Sequence, residues 1–166
     1  MLPRRANALA YWLTLAGILL WLGAIAAAPL LRREAPRWSA LFYTVFSPVC
    51  HQRPERSFFL RGFPMAVCGR CLGIYAGILL GTLAFPFRRR KAGSGLPKLR
   101  TLAAFTVPIG LDTLGNFLGL WSTGNVARLV TGLIWGVVLP FAFIPAVGEA
   151  LGRGQRPELA KPGPNT

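Results

Sequence analysis

The chain has 166 residues, of which 53% are hydrophobic and 14% are charged, whereas soluble domains carry about 25% charged residues. This composition indicates a membrane protein and excludes a separate soluble domain. The formal net charge of +14 lies on residues that flank apolar segments rather than form one patch, which excludes nucleic acid as the expected partner and favours membrane lipids.

Four apolar segments are long enough to cross a bilayer, which takes about 17–25 helical residues. They are predicted at 8–31, 71–87, 99–120 and 126–147. The first is longer than the apolar region of a signal peptide, so we expect a retained helix, although Ala26–Ala28 resembles a cleavage site. The sequence predicts an all-α membrane protein, with one polytopic domain over 1–150 that holds about four transmembrane helices in a compact bundle. A disordered basic tail is expected at 151–166.

The segment between the first two predicted spans is too polar to cross a membrane. Within it, Trp38, Phe42, Val45 and Val49 recur at helical spacing. This pattern predicts a short helix that lies in the membrane interface or packs on the bundle, just before the cysteine and histidine motif.

Glycines recur every fourth residue along the second predicted span. On a helix they form one smooth stripe that lets another backbone approach closely. The stripe predicts close packing inside the bundle, and it is also a candidate contact for a homo- or hetero-oligomer through Gly73, Gly77 and Gly81.

All three cysteines and the one histidine of the chain fall between positions 50 and 71. Cys50 and His51 are adjacent, and after sixteen intervening residues Cys68 and Cys71 form a C-x2-C pair. Three thiolates and one imidazole match in number and type the ligands of a tetrahedral zinc site. The spacing therefore predicts a metal site with zinc as its cofactor, held by Cys50, His51, Cys68 and Cys71.

Other uses of these cysteines stay open at this stage. In an oxidising compartment Cys68 and Cys71 would form a disulfide or act as a redox pair, and a disulfide from Cys50 to either of them is equally allowed. The cysteines are alternatively inert apolar side chains. An iron–sulfur cluster is disfavoured because it usually takes four thiolates.

A second set of polar residues lies inside the predicted spans. Asp112 is the single acid there, Asn116 follows one turn later, and Asn125 and Arg128 begin the last span. A charge at such depth costs about 3 kcal/mol unless it is paired, so Arg128 is the expected partner of Asp112. The pair either fixes helix register or belongs to an anion or substrate site formed by Arg70, Asn116, Asn125 and Arg128. In that second case Asp112 and Arg128 are the candidate catalytic residues.

The distribution of basic residues predicts the orientation of the chain in the cell membrane. The short loop 88–100 contains six of them, so we expect it and both termini to face the cytoplasm. The cysteine segment would then face outside. Whatever the orientation, four spans place this segment and the 120–127 turn at the same membrane face.

The motifs resemble one family of small prokaryotic integral membrane proteins that is catalogued as a domain of unknown function. The resemblance covers about residues 40–140 and rests on three strings of this sequence: Cys50-His51-Gln52-x-Pro54-x-Arg56-Ser57, then Cys68-x-Arg70-Cys71-x-Gly73-Ile74-Tyr75-x-Gly77, and the spaced Asp112, Asn125, Arg128 and Thr131-Gly132. It implies a polytopic membrane protein with this motif and no particular reaction or substrate.

Two classes of function fit the sequence, which has no P-loop, dinucleotide-binding fingerprint or HExxH motif. In the first class the metal is structural and stabilises a scaffold or binding module. In the second class the chain is a membrane enzyme or a thiol-redox protein that acts on an anionic lipid or similar amphiphile at the headgroup level. Three thiolates and a histidine would fill the zinc shell, which favours the structural class.

Overall fold

The computed structural model describes residues 4–92 and 99–153, most of them helical. The elements in chain order are α1 (Arg4–Leu30), α2 (Pro36–Phe46), a one-turn 3-10 helix (Pro54–Arg56), strands β1 (Phe59–Leu60) and β2 (Phe63–Pro64), α3 (Gly69–Ala92), α4 (Leu99–Phe117) and α5 (Asn125–Arg153). Most of the predicted tail, 154–166, and residues 93–98 of the basic loop lie outside the described residues.

Three helices are long and apolar enough to cross a membrane. Their candidate spans are Asn7–Leu30 in α1, Gly69–Arg88 in α3 and Asn125–Leu151 in α5. The prediction of a helical membrane protein is thus confirmed, with three membrane-capable helices in the described part of the chain. The predicted span at 99–120 forms helix α4, whose hydropathy is lowered by Arg100 and Asp112, and it is not among the three.

Helices α3 and α5 run parallel and touch backbone to backbone along the glycine stripe. A Cβ atom on Gly73 would lie 2.1 Å from the carbonyl oxygen of Leu129, and one on Gly77 would lie 2.4 Å from that of Leu133. Gly81 meets the next turn of α5 in the same way. The predicted close approach of another backbone is therefore made within the chain, by α5. The oligomer contact predicted at these three glycines stays a prediction, and α5 of the same chain occupies this stripe.

Helix α1 runs antiparallel to this pair, and packing at its two ends shows the direction. Near its end Ile25 is buried in the same cluster as Cys50 and as Val67, which lies two residues before α3. Near its start Ala10 is buried against Phe85 and Ile144, toward the ends of α3 and α5. The cysteine segment therefore lies at the end of the bundle opposite the N-terminus.

Residues 36–67, hereafter the cap, cover the end of the bundle where α1 stops and α3 starts. The predicted amphipathic helix is α2, which ends at Phe46, just before Pro48. Its Phe46 is buried, whereas Trp38 and Leu41 on the other side are exposed. Buried Ser39 donates a hydrogen bond of 2.7 Å to the Ala28 carbonyl oxygen, which satisfies an acceptor in the last turn of α1.

A short β-hairpin in the cap was not predicted, and it departs from the all-α expectation. Phe59 pairs with Pro64 and Leu60 with Phe63 in antiparallel register. Arg61 and Gly62 have φ angles of 54° and 85°, as the two central residues of a type I′ turn require. The Tyr43 hydroxyl donates a hydrogen bond to the Pro64 carbonyl oxygen and so fastens the hairpin to α2.

Several helix ends differ from the predicted bounds. Helix α4 ends at Phe117 rather than 120 because Gly119, with φ of 70°, adopts the left-handed conformation and the Leu120 amide donates to the Gly115 carbonyl oxygen at 2.9 Å. Conversely, α3 and α5 continue past their predicted ends at 87 and 147, and α5 includes the first residues of the predicted tail. Proline is tolerated inside such helices when they are packed against neighbours, as at Pro86 and Pro140.

Candidate metal centre and polar cluster

The three cysteines converge where the cap meets α3. Cys50 follows α2, Cys68 directly precedes α3, and Cys71 lies in the first turn of α3. The carbonyl oxygen of Cys68 accepts a 2.9 Å hydrogen bond from the Leu72 amide. Their Sγ atoms lie within 4.8 Å of one another, and all three are free thiols. Sulfurs that bind one tetrahedral zinc ion at about 2.3 Å would lie about 3.8 Å apart, so this arrangement fits a metal ion.

In the turn after α2, the side chains of the adjacent residues Cys50 and His51 have different environments. Gln52 adopts a left-handed conformation with φ of 50°, and its side-chain amide donates 2.7 Å to the Tyr43 carbonyl oxygen. The Cys50 side chain is buried, whereas His51 is exposed and is not part of the group of closely spaced ligand atoms. The structure thus brings together three of the four predicted ligands.

The surroundings favour ionised sulfur at this position. The Cys68 amide donates a 3.1 Å hydrogen bond to Cys50 Sγ, and the helix dipole presents its positive end to sulfurs at the start of α3. Hydrogen bonds from the Cys50 and Cys71 thiols hold the pKa of the Cys68 thiol well below its usual range. The thiolate is the form that binds metals, and these contacts favour it at Cys68.

Arg70 lies between Cys68 and Cys71 in sequence, but its side chain points toward α4. Its Nη2 forms a salt bridge with Oδ2 of Asp112, and both side chains are mostly buried. The predicted pairing of Asp112 with Arg128 is therefore wrong. Arg128 instead donates to the side-chain oxygens of Asn125 at 3.2 Å and Asn116 at 3.3 Å, which hold its guanidinium away from the carboxylate.

Both carboxylate oxygens of Asp112 are engaged. Oδ1 accepts hydrogen bonds from the Thr123 hydroxyl and, at 3.1 Å, from the Asn116 side-chain amide, while Oδ2 faces Arg70. Such a carboxylate suits an orienting role better than that of a proton acceptor. Thr123 was not predicted as a site residue, although the polar run from Ser122 to Asn125 between two apolar segments was a usable signal.

A cavity of about 720 Å³ opens beside this polar cluster, between the cap and the α4–α5 turn. Asn125 connects its two walls, since its side-chain amide donates to the carbonyl oxygens of Glu55 at 3.4 Å and Ser57 at 3.3 Å. The cysteine segment and the 120–127 turn are thus in contact, and their location at one membrane face stays a prediction. Of the predicted anion-binding residues, the cavity is lined by Asn116, Asn125 and Arg128, whereas Arg70 is not among its lining residues.

The fold and the site define a helical membrane protein with a three-cysteine cluster at one end of its helices. The chain belongs to the family described as "Predicted membrane protein (DUF2085)", whose model matches residues 50–142. It is 37% identical to the uncharacterized protein MJ1492 of Methanocaldococcus jannaschii, over 68% of this chain and 72% of the relative. An uncharacterized protein of Methanothermobacter thermautotrophicus is 34% identical over 57% of this chain and 83% of its own length. No solved structure matches the chain.

Proposed function

We propose that the chain is an integral membrane protein in which one zinc ion, bound by Cys50, Cys68 and Cys71, fastens the cap to the helix bundle and so stabilises a scaffold or binding module. The observation that carries this proposal is the convergence of three sulfurs from two distant segments within 4.8 Å. A metal held there would connect the turn after α2 to the start of α3.

The position of the cluster supports a structural role for the metal. Cys50 is only 6% exposed and belongs to a buried apolar cluster with Ile25, Phe46 and Val67. This cluster joins α1, α2 and the end of the cap. Because the binding free energy of a structural metal contributes to folding, a metal in the cluster would stabilise the docked cap.

An enzymatic role at the headgroup level is the second candidate, and one observation favours it. His51 is exposed and apart from the sulfurs, so a zinc ion bound by the three cysteines alone would keep a fourth position for water or an exogenous ligand. Catalytic zinc sites have such an open position, and a bound zinc ion there would supply an activated water. The polar residues around Asp112 are the other residues of this chain that would belong to such an active site.

We infer further that α4 crosses the membrane as a fourth span. Because α3 and α5 run parallel, the chain must return from the end of α3 to the start of α5, and α4 is the helix between them. Its 19 residues measure about 28 Å at 1.5 Å per residue, close to the thickness of the hydrocarbon core.

The basic loop 88–100 favours an orientation with both termini in the cytoplasm and the three cysteines outside. A reporter that works only in the cytoplasm is expected to be active when it is fused to the C-terminus or inserted in this loop, and one that works only outside is expected to be inactive there. A C-terminal reporter that is active outside would reverse this topology. It would also place the cysteines in the reducing compartment, where free thiols persist.

Titration of the purified, metal-free chain with Co²⁺ tests the metal site. Binding to three thiolates is expected to produce intense near-ultraviolet sulfur-to-cobalt absorption that saturates at one equivalent. His51→Ala is expected to leave this absorption in place, and Cys68→Ser to weaken or abolish it. Absence of the absorption in the wild-type chain, or its persistence in Cys50→Ser, Cys68→Ser and Cys71→Ser alike, would contradict the proposal.

A further inference from the structure

The cavity beside the polar cluster is separate from the cysteine cluster and has a different chemistry. None of the three cysteines lines it, and most of its lining residues are polar or charged. It opens where the cap faces the turn between α4 and α5, so it lies at the same end of the bundle as the cysteines. The polar residues that line it are Glu55, Arg56, Asn116, Ser122, Thr123, Asn125 and Arg128.

Arg128 gives the cavity wall a buried positive charge. Only 7% of the residue is exposed, and its hydrogen bonds go to the neutral side chains of Asn116 and Asn125. Within residues 4–92 and 99–153 no carboxylate lies within salt-bridge distance of it, since Asp112 pairs with Arg70. The buried group of Arg70, Asp112 and Arg128 therefore carries a net charge of +1, which is unfavourable unless an anion joins it.

The start of α5 adds to the positive electrostatic potential in the cavity. The Arg128 amide donates to the Gly124 carbonyl oxygen, so the helix begins directly at the cavity, and its first turn contains no acidic residue. The amides of that turn and the helix dipole both favour an anion. A Cβ atom on Gly124 would meet nothing within 4 Å, so there is open space in front of the helix.

The mouth of the cavity has one more cation and an apolar border. Arg56 is exposed and lines the wall opposite Arg128, next to the carboxylate of Glu55. Trp121 also lines the cavity and is 50% exposed, and Leu120 beside it is 66% exposed. An anionic group would therefore bind next to a surface that suits lipid chains.

We propose that this cavity binds a phosphate group, with Arg128 holding it from the buried side and Arg56 from the mouth. Guanidinium groups bind phosphate oxygens through paired N–H donors. Two of them line this cavity with one carboxylate, that of Glu55, so the lining keeps a net positive charge that favours a phosphate ester. The hydroxyl of Ser122 supplies a further donor at the wall, whereas that of Thr123 already donates to Asp112. The group belongs either to a phospholipid headgroup or to a free phosphate ester, and the proposal does not depend on the metal site.

Isothermal titration of the full chain in detergent tests the proposal with two matched pairs of probes. Glycerol 3-phosphate is compared with glycerol, and phosphatidic acid in mixed micelles with diacylglycerol, so that each pair differs only in the phosphate. We expect saturable binding of a phosphate-bearing probe and none of its partner. Binding of glycerol 3-phosphate would identify a free ester as the source, and binding of phosphatidic acid alone would identify a lipid headgroup.

Variants then assign the binding to the cavity. Arg56→Gln alters an exposed side chain at the mouth and is expected to weaken binding about tenfold, as is typical when one charged hydrogen bond is lost. Arg128→Gln is expected to weaken it at least as much, and Arg37→Gln, an exposed arginine on α2, should leave it unchanged. The proposal is overturned if neither phosphate probe binds, or if Arg56→Gln binds as tightly as the wild-type chain.

Discussion

Replacing Gly77 by alanine is expected to destabilise the folded chain by about 3 kcal/mol, at the upper end of what overpacking usually costs. The added Cβ would lie 2.4 Å from the Leu133 carbonyl oxygen and 2.9 Å from the Gly136 Cα atom. Both are backbone atoms, so no side chain can move aside and α3 and α5 must separate. The free energy of unfolding in mixed detergent micelles, measured by titration with a denaturing detergent, gives the size of the effect.

Gly110→Ala is the matched control for this experiment. Gly110 also lies inside a helix, but a Cβ atom there would meet nothing within 4 Å. Since glycine is a poorer helix former than alanine, this variant is expected to be neutral or more stable by up to about 1 kcal/mol. If Gly77→Ala and Gly110→Ala have the same stability, the parallel packing of α3 and α5 is wrong.

Replacing Asp112 by asparagine is expected to cost about 3–5 kcal/mol, the usual penalty for removing one partner of a buried ion pair. The loss leaves Arg70 without its counter-ion and increases the uncompensated positive charge near Arg128. Because Arg70 contacts the carboxylate directly, Asp112→Asn combined with Arg70→Gln should be less damaging than the sum of the two single changes. The stabilities of the single and double variants in detergent measure this coupling.

The exposed pair of Glu34 and Arg61 is the control for the buried one. Its atoms are 3.7 Å apart with side chains that are 72% and 63% exposed, so removing it should change stability by less than about 1 kcal/mol. A double-variant cycle of Asp112 with Arg128 should give a weaker coupling than the cycle with Arg70. Additive effects of Asp112→Asn and Arg70→Gln would contradict the salt bridge.

The parts of the fold that follow from local pattern were predictable from the sequence. The long apolar segments gave three membrane-capable helices, the spacing of Trp38, Phe42 and Val45 gave α2, and the glycine period gave the close helix contact. The four-residue spacing of the glycines does not identify the helix that packs on them. The identity of that helix depends on the pairing of Gly73 and Gly77 with α5, a contact between segments more than fifty residues apart.

The candidate site was predictable in composition but not in its pairings. The clustering of Cys50, Cys68 and Cys71 in the sequence corresponds to the convergence of their sulfurs, since each lies at the end of an element that meets the cap. The predicted partner of Asp112 was wrong because Arg70 and Arg128 lie near the same end of the helices, and only the direction of their side chains distinguishes them. His51 was grouped with the cysteines by adjacency, whereas the left-handed turn at Gln52 leaves it exposed.

The proposed role depends most on whether the three cysteines hold a metal ion in the purified chain. Metal content by mass spectrometry, on protein prepared in detergent without chelator, is to be measured together with peptide mapping of the cysteines. We predict about one zinc ion per chain, no disulfide, and loss of the zinc in Cys68→Ser. Substoichiometric metal together with a disulfide between Cys68 and Cys71 would contradict the proposed metal site.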